Sequence, residues 1–351
     1  MPKKVLLIPT ILFFLLININ VNAQTVFAKY AGEFMTLGVG GRPSGMGGAF
    51  VAVANDVTAG YYNPAGLALI NYPQISLMHA EQFGSLVNYD YAAVAIPFGK
   101  DLTFSISGIR LSVDGIPDTR AAITDLNGDG VADVTDVNNP NFRPNYDLIT
   151  YFSNQDYAFY FSFAKRQSDN FMYGGNVKII RRDLGDAGAT GIGLDVAALY
   201  LPFENFSVGA NIQDVTTTLV AWNTGRNELI TPTLKLGAAY GIDFLGGKLT
   251  PALDFDIRFE NRRYAAEFNL GPVSFDAHSG IEFNYKNIFA IRGGYSDVKQ
   301  FTIGAGVKLP KLNIDYSFAR FNASSLDRLD DTHRISLILT LEEPKFLRDG
   351  I

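Results

Sequence analysis

From residue 249 the chain keeps a two-residue beat. Leu249, Leu253, Phe255, Ile257 and Phe259 occupy odd positions, while Thr250, Asp254, Asp256, Arg258 and Glu260 fall between them. The beat returns at residues 275–285, 301–309, 312–318 and 334–341. A period of two puts alternate side chains on opposite faces of an extended strand. Weaker versions occur at residues 75–81, 89–97, 102–111, 157–164, 171–181, 191–201, 206–214, 233–243 and 288–296. Together they predict about fourteen strands of roughly 8–11 residues, the length of a tilted membrane-crossing strand.

The connections alternate as well. Short ones fall at residues 98–101, 166–170, 202–205, 245–247, 286–287 and 310–311. Longer ones fall at residues 112–156, 182–190, 215–232, 261–274 and 320–332, with residues 297–300 a short exception among them. Short turns on one side and long loops on the other are the arrangement of outer-membrane barrels, whose short turns face the periplasm. An even strand count returns both ends of the barrel to that side, so a segment preceding the first strand is expected to enter from there. A soluble β-sandwich would alternate too. Here, however, one face carries Gly, Ser, Asp, Asn and Lys and the other large apolar residues, as a wet lumen and a lipid-facing wall require. The expected fold is all-β: a transmembrane antiparallel β-barrel of about 14 strands.

The first 23 residues interrupt this picture. Lys3 and Lys4 precede an apolar run over residues 5–19, and Val21-Asn22-Ala23 closes it with small residues, which reads as a secretory signal peptide. The run is short and contains Pro9. No later stretch offers the ~18 apolar residues of a membrane helix. The expected organisation is a signal peptide at residues 1–23, an N-terminal segment at 24–72, a barrel at 73–341 and a periplasmic tail at 342–351. The destination is the outer membrane of a Gram-negative-type bacterium. Membrane lipid is then the first partner.

Composition narrows the chemistry. The net charge is -6, and without Lys3 and Lys4, two positive charges fewer, it is -8. That argues against nucleic acid as a partner, which needs a basic face. There is no cysteine, so disulfides, thiolate metal sites and Cys nucleophiles are excluded. The 27 Phe and 17 Tyr, beside one Trp, suit a strand-rich wall with interfacial aromatics.

Candidate chemistry is sparse. The lumen-side parity carries Asp254, Asp256, Arg258, Asp276, Glu282, Arg292 and Asp315, charges of both signs that suit either a salt-bridged, water-filled interior or a substrate path. Residues 125–136 fit a calcium loop, with Asp125, Asn127, Asp129, Asp133 and Asp136 as oxygen ligands and the backbone carbonyl of Val131 completing the set. Gly130 stands at the sharp-turn position, and an acidic surface turn is the alternative. Calcium is the one candidate cofactor. His79 and His333 share the parity of apolar neighbours near the outer ends of the first and last strands. A lipid hydrolase with a rim histidine would need a nucleophile, a base and an orienting group together. No such set is legible, so the chain is read as a non-enzyme.

Residues 38–69 are the most distinctive stretch. They contain Gly38-Val39-Gly40, then residues 42–52 (RPSGMGGAFVA), Asn55-Asp56, and Tyr62-Asn63-Pro64-Ala65-Gly66-Leu67. The cluster Gly45, Gly47 and Gly48 allows backbone to pack closely on backbone, and Asn63-Pro64 punctuates the chain. This ordered pattern resembles the N-terminal segment of the PorV/PorQ family, within the FadL-like group of outer-membrane barrels. The resemblance implies a lumenal plug built on Gly45, Gly47, Gly48, Asn55, Asp56, Asn63, Pro64 and Gly66. It also implies a role in protein export by the type IX secretion route, with exported proteins or secretion components as partners. The alternative within the wider group is a FadL-like transporter of hydrophobic small molecules.

Overall fold

The computed structural model describes residues 32–82, 84–122, 145–260, 266–296, 299–321 and 331–349. The signal peptide, the first residues of the N-terminal segment and the whole calcium-loop candidate, residues 125–136, lie outside them.

Among the described residues fourteen strand positions close into one antiparallel barrel. They are β1 (Gln74–Gln82), β2 (Val87–Phe98), β3 (Leu102–Asp118), β4 (Thr150–Arg166), β5 (Phe171–Leu184) and β6 (Ala187–Phe203). β7 comes in two pieces, Phe206–Gln213 and Thr218–Trp222, and β8 in three, Asn227–Ile230, Thr233–Tyr240 and Ile242–Phe244. β9 (Gly247–Arg258), β10 (Val273–Tyr285), β11 (Phe289–Tyr295), β12 (Gln300–Leu309), β13 (Leu312–Phe321) and β14 (Thr332–Thr340) complete the wall. A three-residue ribbon, Phe268–Leu270, pairs with the start of β10. β1 closes on β14 from Gln74↔Thr340 to Glu81↔His333. Closure leaves no open sheet edge, the condition for strands to stand in lipid. No described helix is long and apolar enough to cross a membrane.

The two faces separate as the alternation requires. Along β12, Phe301, Ile303 and Val307 are exposed outward while Thr302 is buried inward. Phe104, Ile106, Phe161, Ile192, Phe255 and Ile291 belong to the same outward apolar surface.

Several expectations about the connections change, among them residues 215–232, which carry the paired pieces Thr218–Trp222 and Asn227–Ile230 rather than one long loop. Residues 182–190 are not a long loop: β5 and β6 run on to a tight turn, with Leu184 paired to Ala187 and Gly185 at φ 55°. Likewise β3, β4 and β6 reach 17 residues each. A crossing needs only about 11, so some 20 Å of paired strand stands beyond the membrane. Small and polar residues there weakened the alternation without ending the hydrogen-bonded ladder. β7 breaks at residues 214–217, where Asp214 and Thr217 take positive φ of 54° and 58°. The break is held by hydrogen bonds from Asp214 N to Asp195 Oδ1 (2.9 Å) and from Val215 N to Leu194 O (2.9 Å).

Candidate functional site: the filled lumen

The stretch from residue 32 to residue 70 sits inside the barrel. It starts at the long-connection end, where Gly32 lies against Ile230 and Phe34 lies 5.9 Å from the Arg182 guanidinium. It reaches the short-turn end before β1 begins. The described part therefore descends the lumen from the loop end, not from the periplasmic side as the strand count suggested. A turn of helix, Gly41–Gly45, packs on β11–β14, and a 3-10 segment, Pro64–Leu69, packs on β3–β6.

Local chemistry sets each turn. Asn63 is extended at φ -155°, and its Oδ1 accepts from Ala65 N (3.1 Å), capping a 3-10 segment that opens with Pro64. Its Nδ2 donates to Val51 O (2.8 Å) within the plug and to Ala198 O (3.1 Å) on the wall. The Cα of Gly66 lies against the carbonyl of Ala54, with no room for a side chain. Gly47 has φ 64° and lies on the backbone of Tyr295. From the wall, Asn176 and Asn211 donate to Gly60 O and Tyr62 O, both at 2.9 Å. These bonds supply partners for plug carbonyls that have left water.

The lumenal charges meet the plug or one another. Arg42 holds Glu282 with two parallel bonds (2.9 and 3.1 Å) and also donates to Asn55 Oδ1 (2.7 Å) and Asp56 Oδ2 (3.2 Å). Burial opposes the charge of Arg42, but Glu282 and Asp56 more than offset it, and the guanidinium pKa lies above the ordinary arginine value. Burial likewise pushes the Tyr62 phenol up to about 12, so its hydroxyl stays a donor, to Val39 O at 3.0 Å. Arg292 links Glu282 (2.7 Å) to Asp315 (2.6 Å). Asp254 Oδ2 accepts from Phe50 N (2.6 Å) and Val51 N (2.8 Å). Arg258 pairs with Asp276 at 3.0 Å, and Asp256 with Lys235.

The candidate residues thus fall into one assembly with two arms. Gly45, Gly47, Gly48, Asp56, Asn63, Pro64 and Gly66 form the packed plug, with Asn55 exposed at its lower surface. Asp254, Glu282, Arg292 and Asp315 grip it, while Asp256, Arg258 and Asp276 pair along the wall. Among the described residues no group of three or more His, Asp or Glu side chains could hold a metal ion. His79 and His333 face outward, each beside a polar neighbour: Asp90 at 2.7 Å and the Tyr316 hydroxyl at 2.7 Å.

Sequence reading missed the seat. Gly280 and Gly304 stand at inward positions of β10 and β12. A Cβ there would lie 2.8 Å from Met46 Cβ and 3.0 Å from Gly45 Cα. Gly174 and Gly209 do the same beneath Pro64 and Val51. Glycine at the lumen parity of an otherwise regular strand was the available signal. Lys178 and Asp195 are lumenal by parity, but their meeting with Asp214 was not legible: the Lys178 Nζ lies 2.8 Å from both Asp195 and Asp214, fully buried.

Spaces flank the plug on both sides. On the loop side a partly open cavity of about 220 Å³ is lined by Leu37, Val51, Tyr61 and Tyr62 of the plug and by Lys235, Asp254, His278 and Arg334 of the wall. On the short-turn side a vestibule of about 1190 Å³ opens past Arg42, Asn55, Leu201 and Lys248.

This architecture has solved counterparts. The toluene transporter TbuX of Ralstonia pickettii superposes with a TM-score of 0.56 at 12% identity, over 86% of this chain and 98% of that one. The toluene transporter TodX of P. putida gives 0.56 at 13%, over 87% and 99%. A Pseudomonas aeruginosa FadL homologue gives 0.52 at 12%, over 86% and 98%. The fold is that of the FadL-like outer-membrane barrels. At the sequence level, the family described as "Uncharacterised protein family (UPF0164)" matches residues 17–93, which include the plug and the first strand. No curated protein sequence matches the chain.

Proposed function

We propose that the protein is an outer-membrane channel for small molecules with an apolar body, of the FadL-like kind, and not an enzyme. The observation that carries this reading is the partly open cavity of about 220 Å³ between plug and wall. Cavities of roughly 150 Å³ already admit benzene. Tyr61, Tyr62, Val51 and Leu37 supply an apolar side for such a body. The plug separates this cavity from the lower vestibule, so passage requires the plug to yield. The neighbouring structures include two toluene transporters, which supports the same reading.

The PorV/PorQ-like pattern at residues 38–69 favours a second reading, assistance to protein export. With the lumen filled by the plug, that role would use the loops and the barrel surface. One pair of measurements separates the two. A deletion strain is compared with its parent for uptake of radiolabelled toluene and for its exported proteome. Reduced uptake with an unchanged exported proteome is expected. Unchanged uptake with lost surface proteins would replace the channel reading by the export reading.

A further inference from the structure

The outer wall from β14 to β4 carries a feature that the lumen does not explain. Strand register sets its outward side chains in rows. Leu339, Ile75, Val94, Ile106 and Phe161 form one row, wholly apolar and bulky. The next row toward the loops is Leu337, Leu77, Ala92, Gly108 and Phe159. Here the middle drops to Ala92 beside Gly108, leaving a groove of about 530 Å³ between Leu77 and Phe159. Tyr157 and Phe159 stack flat at 6.3 Å along one bank. The row above changes character: Ile335, His79, Asp90, Arg110 and Tyr157. The row beyond that, His333, Glu81, Asn88 and Gln155, with Ser112 buried among them, is polar throughout.

The boundary between hydrocarbon and head groups therefore crosses this side of the barrel just above the groove. Arg110 stands eight residues along β3 from Leu102, close to the outer end of a crossing of about 9–11 residues. Charges on the lipid face are tolerated at that depth and not at the midplane. Asp90 lies 2.7 Å from His79 Nδ1 and accepts a 3.4 Å contact from Arg110 Nη1. That contact is near the limit of a hydrogen bond and uses one N–H of the five a guanidinium carries. The Arg110 side chain is 40% exposed, open to whatever lies at head-group level.

We propose that this groove is a binding site for a phosphate-bearing lipid of the outer leaflet. Its phosphate sits on the Arg110 fork, and the upper part of one acyl chain lies on Ala92 and Gly108 against Phe159. Arginine suits the role because its planar donors match phosphate oxygens two at a time. Asp90 and His79 hold each other beside Arg110, and Asp90 is placed to meet a head-group amine where the lipid has one. The site belongs to the barrel wall and stands whether or not the lumen conducts.

The test is lipid retention by the full-length mature protein, delipidated in detergent and followed by native mass spectrometry. Dipalmitoyl phosphatidylglycerol is the probe and dipalmitoylglycerol, the same chains without phosphate, is the control. Wild type should retain the phosphatidylglycerol at concentrations roughly tenfold below those needed for the control, the scale of one charge-assisted hydrogen-bond set. Arg110→Gln should abolish this preference, and Arg110→Lys should restore only part of it. Ala92→Leu, which fills the floor without touching the charges, should weaken both lipids. Excess inorganic phosphate should not compete. Heat-dependent gel migration verifies that each variant is a folded barrel. An Arg110→Gln barrel that keeps the wild-type preference overturns the proposal, as does full competition by inorganic phosphate.

Discussion

Replacing Gly47 by alanine tests whether the plug is seated by close backbone contact. Gly47 has φ 64°, a conformation that costs an L-residue about 1–2 kcal/mol. Its new Cβ would also lie 2.5–2.8 Å from the N, O and C atoms of Tyr295, which belong to the wall and cannot rotate away. Overpacking of this kind costs about 1–3 kcal/mol. Together these disfavour the seated arrangement of residues 46–48 by about 2–5 kcal/mol. At 1.4 kcal/mol per factor of ten, the unseated population should rise at least tenfold. Gly99→Ala supplies the control. Gly99 has φ 60° but no atom within 4 Å of a Cβ, so it carries the backbone term without the collision. The assay is single-channel conductance in planar bilayers, with proteolysis of residues 41–51 as a second reading. Gly47→Ala should raise mean conductance and cleavage, and Gly99→Ala should leave both near wild type. Equal behaviour of the two variants would show that the wall contact does not hold the plug.

Arg42→Met should loosen the plug further along, because it removes the charged partner of Asp56, leaving that carboxylate only its bonds from Thr58, and one of two charged partners of Glu282; about 3 kcal/mol is expected, read as increased protease access to residues 50–56. Arg42→Lys should rescue little, since one ammonium cannot reproduce the parallel pair to Glu282. Lys178→Met strands Asp195 and Asp214 in a buried site, and should lower barrel stability by about 3–5 kcal/mol in a urea titration of gel mobility. Ile303→Lys, facing lipid, should cost about 2–4 kcal/mol near the midplane. Thr302→Lys should not be the mild partner that an empty lumen would allow, because Thr302 donates to Gly45 O (3.2 Å) beneath the plug; a gel-mobility titration in which Thr302→Lys matches wild type would refute the packing.

Much of the barrel is written in single residues. Phe301, Ile303 and Val307 against Thr302 state both the strand and its orientation, because a strand's two faces are separated by covalent geometry alone. Charges such as Asp254 and Glu282 are legible as lumenal for the same reason. The extent of a strand is less legible. β5 and β6 continue through Asp183 and Gly188 to a tight turn because a neighbouring ladder, not hydropathy, holds them there. The family-like pattern at residues 38–69 marked the plug, since tight turns demand Gly47, Gly66 and Asn63 in fixed order.

What only the tertiary structure decided is which wall residues meet that plug, and from which end it runs. Gly280 and Gly304 are ordinary strand glycines until Met46 and Gly45 lie on them. Arg42 reaches Glu282 across 240 residues of sequence. Lys178 is one lysine among many until β6 and the break in β7 bring Asp195 and Asp214 to it. The reason is physical: alternation is a local property carried by each strand, whereas a seat and a salt bridge are set by register around the closed barrel, which no local pattern encodes.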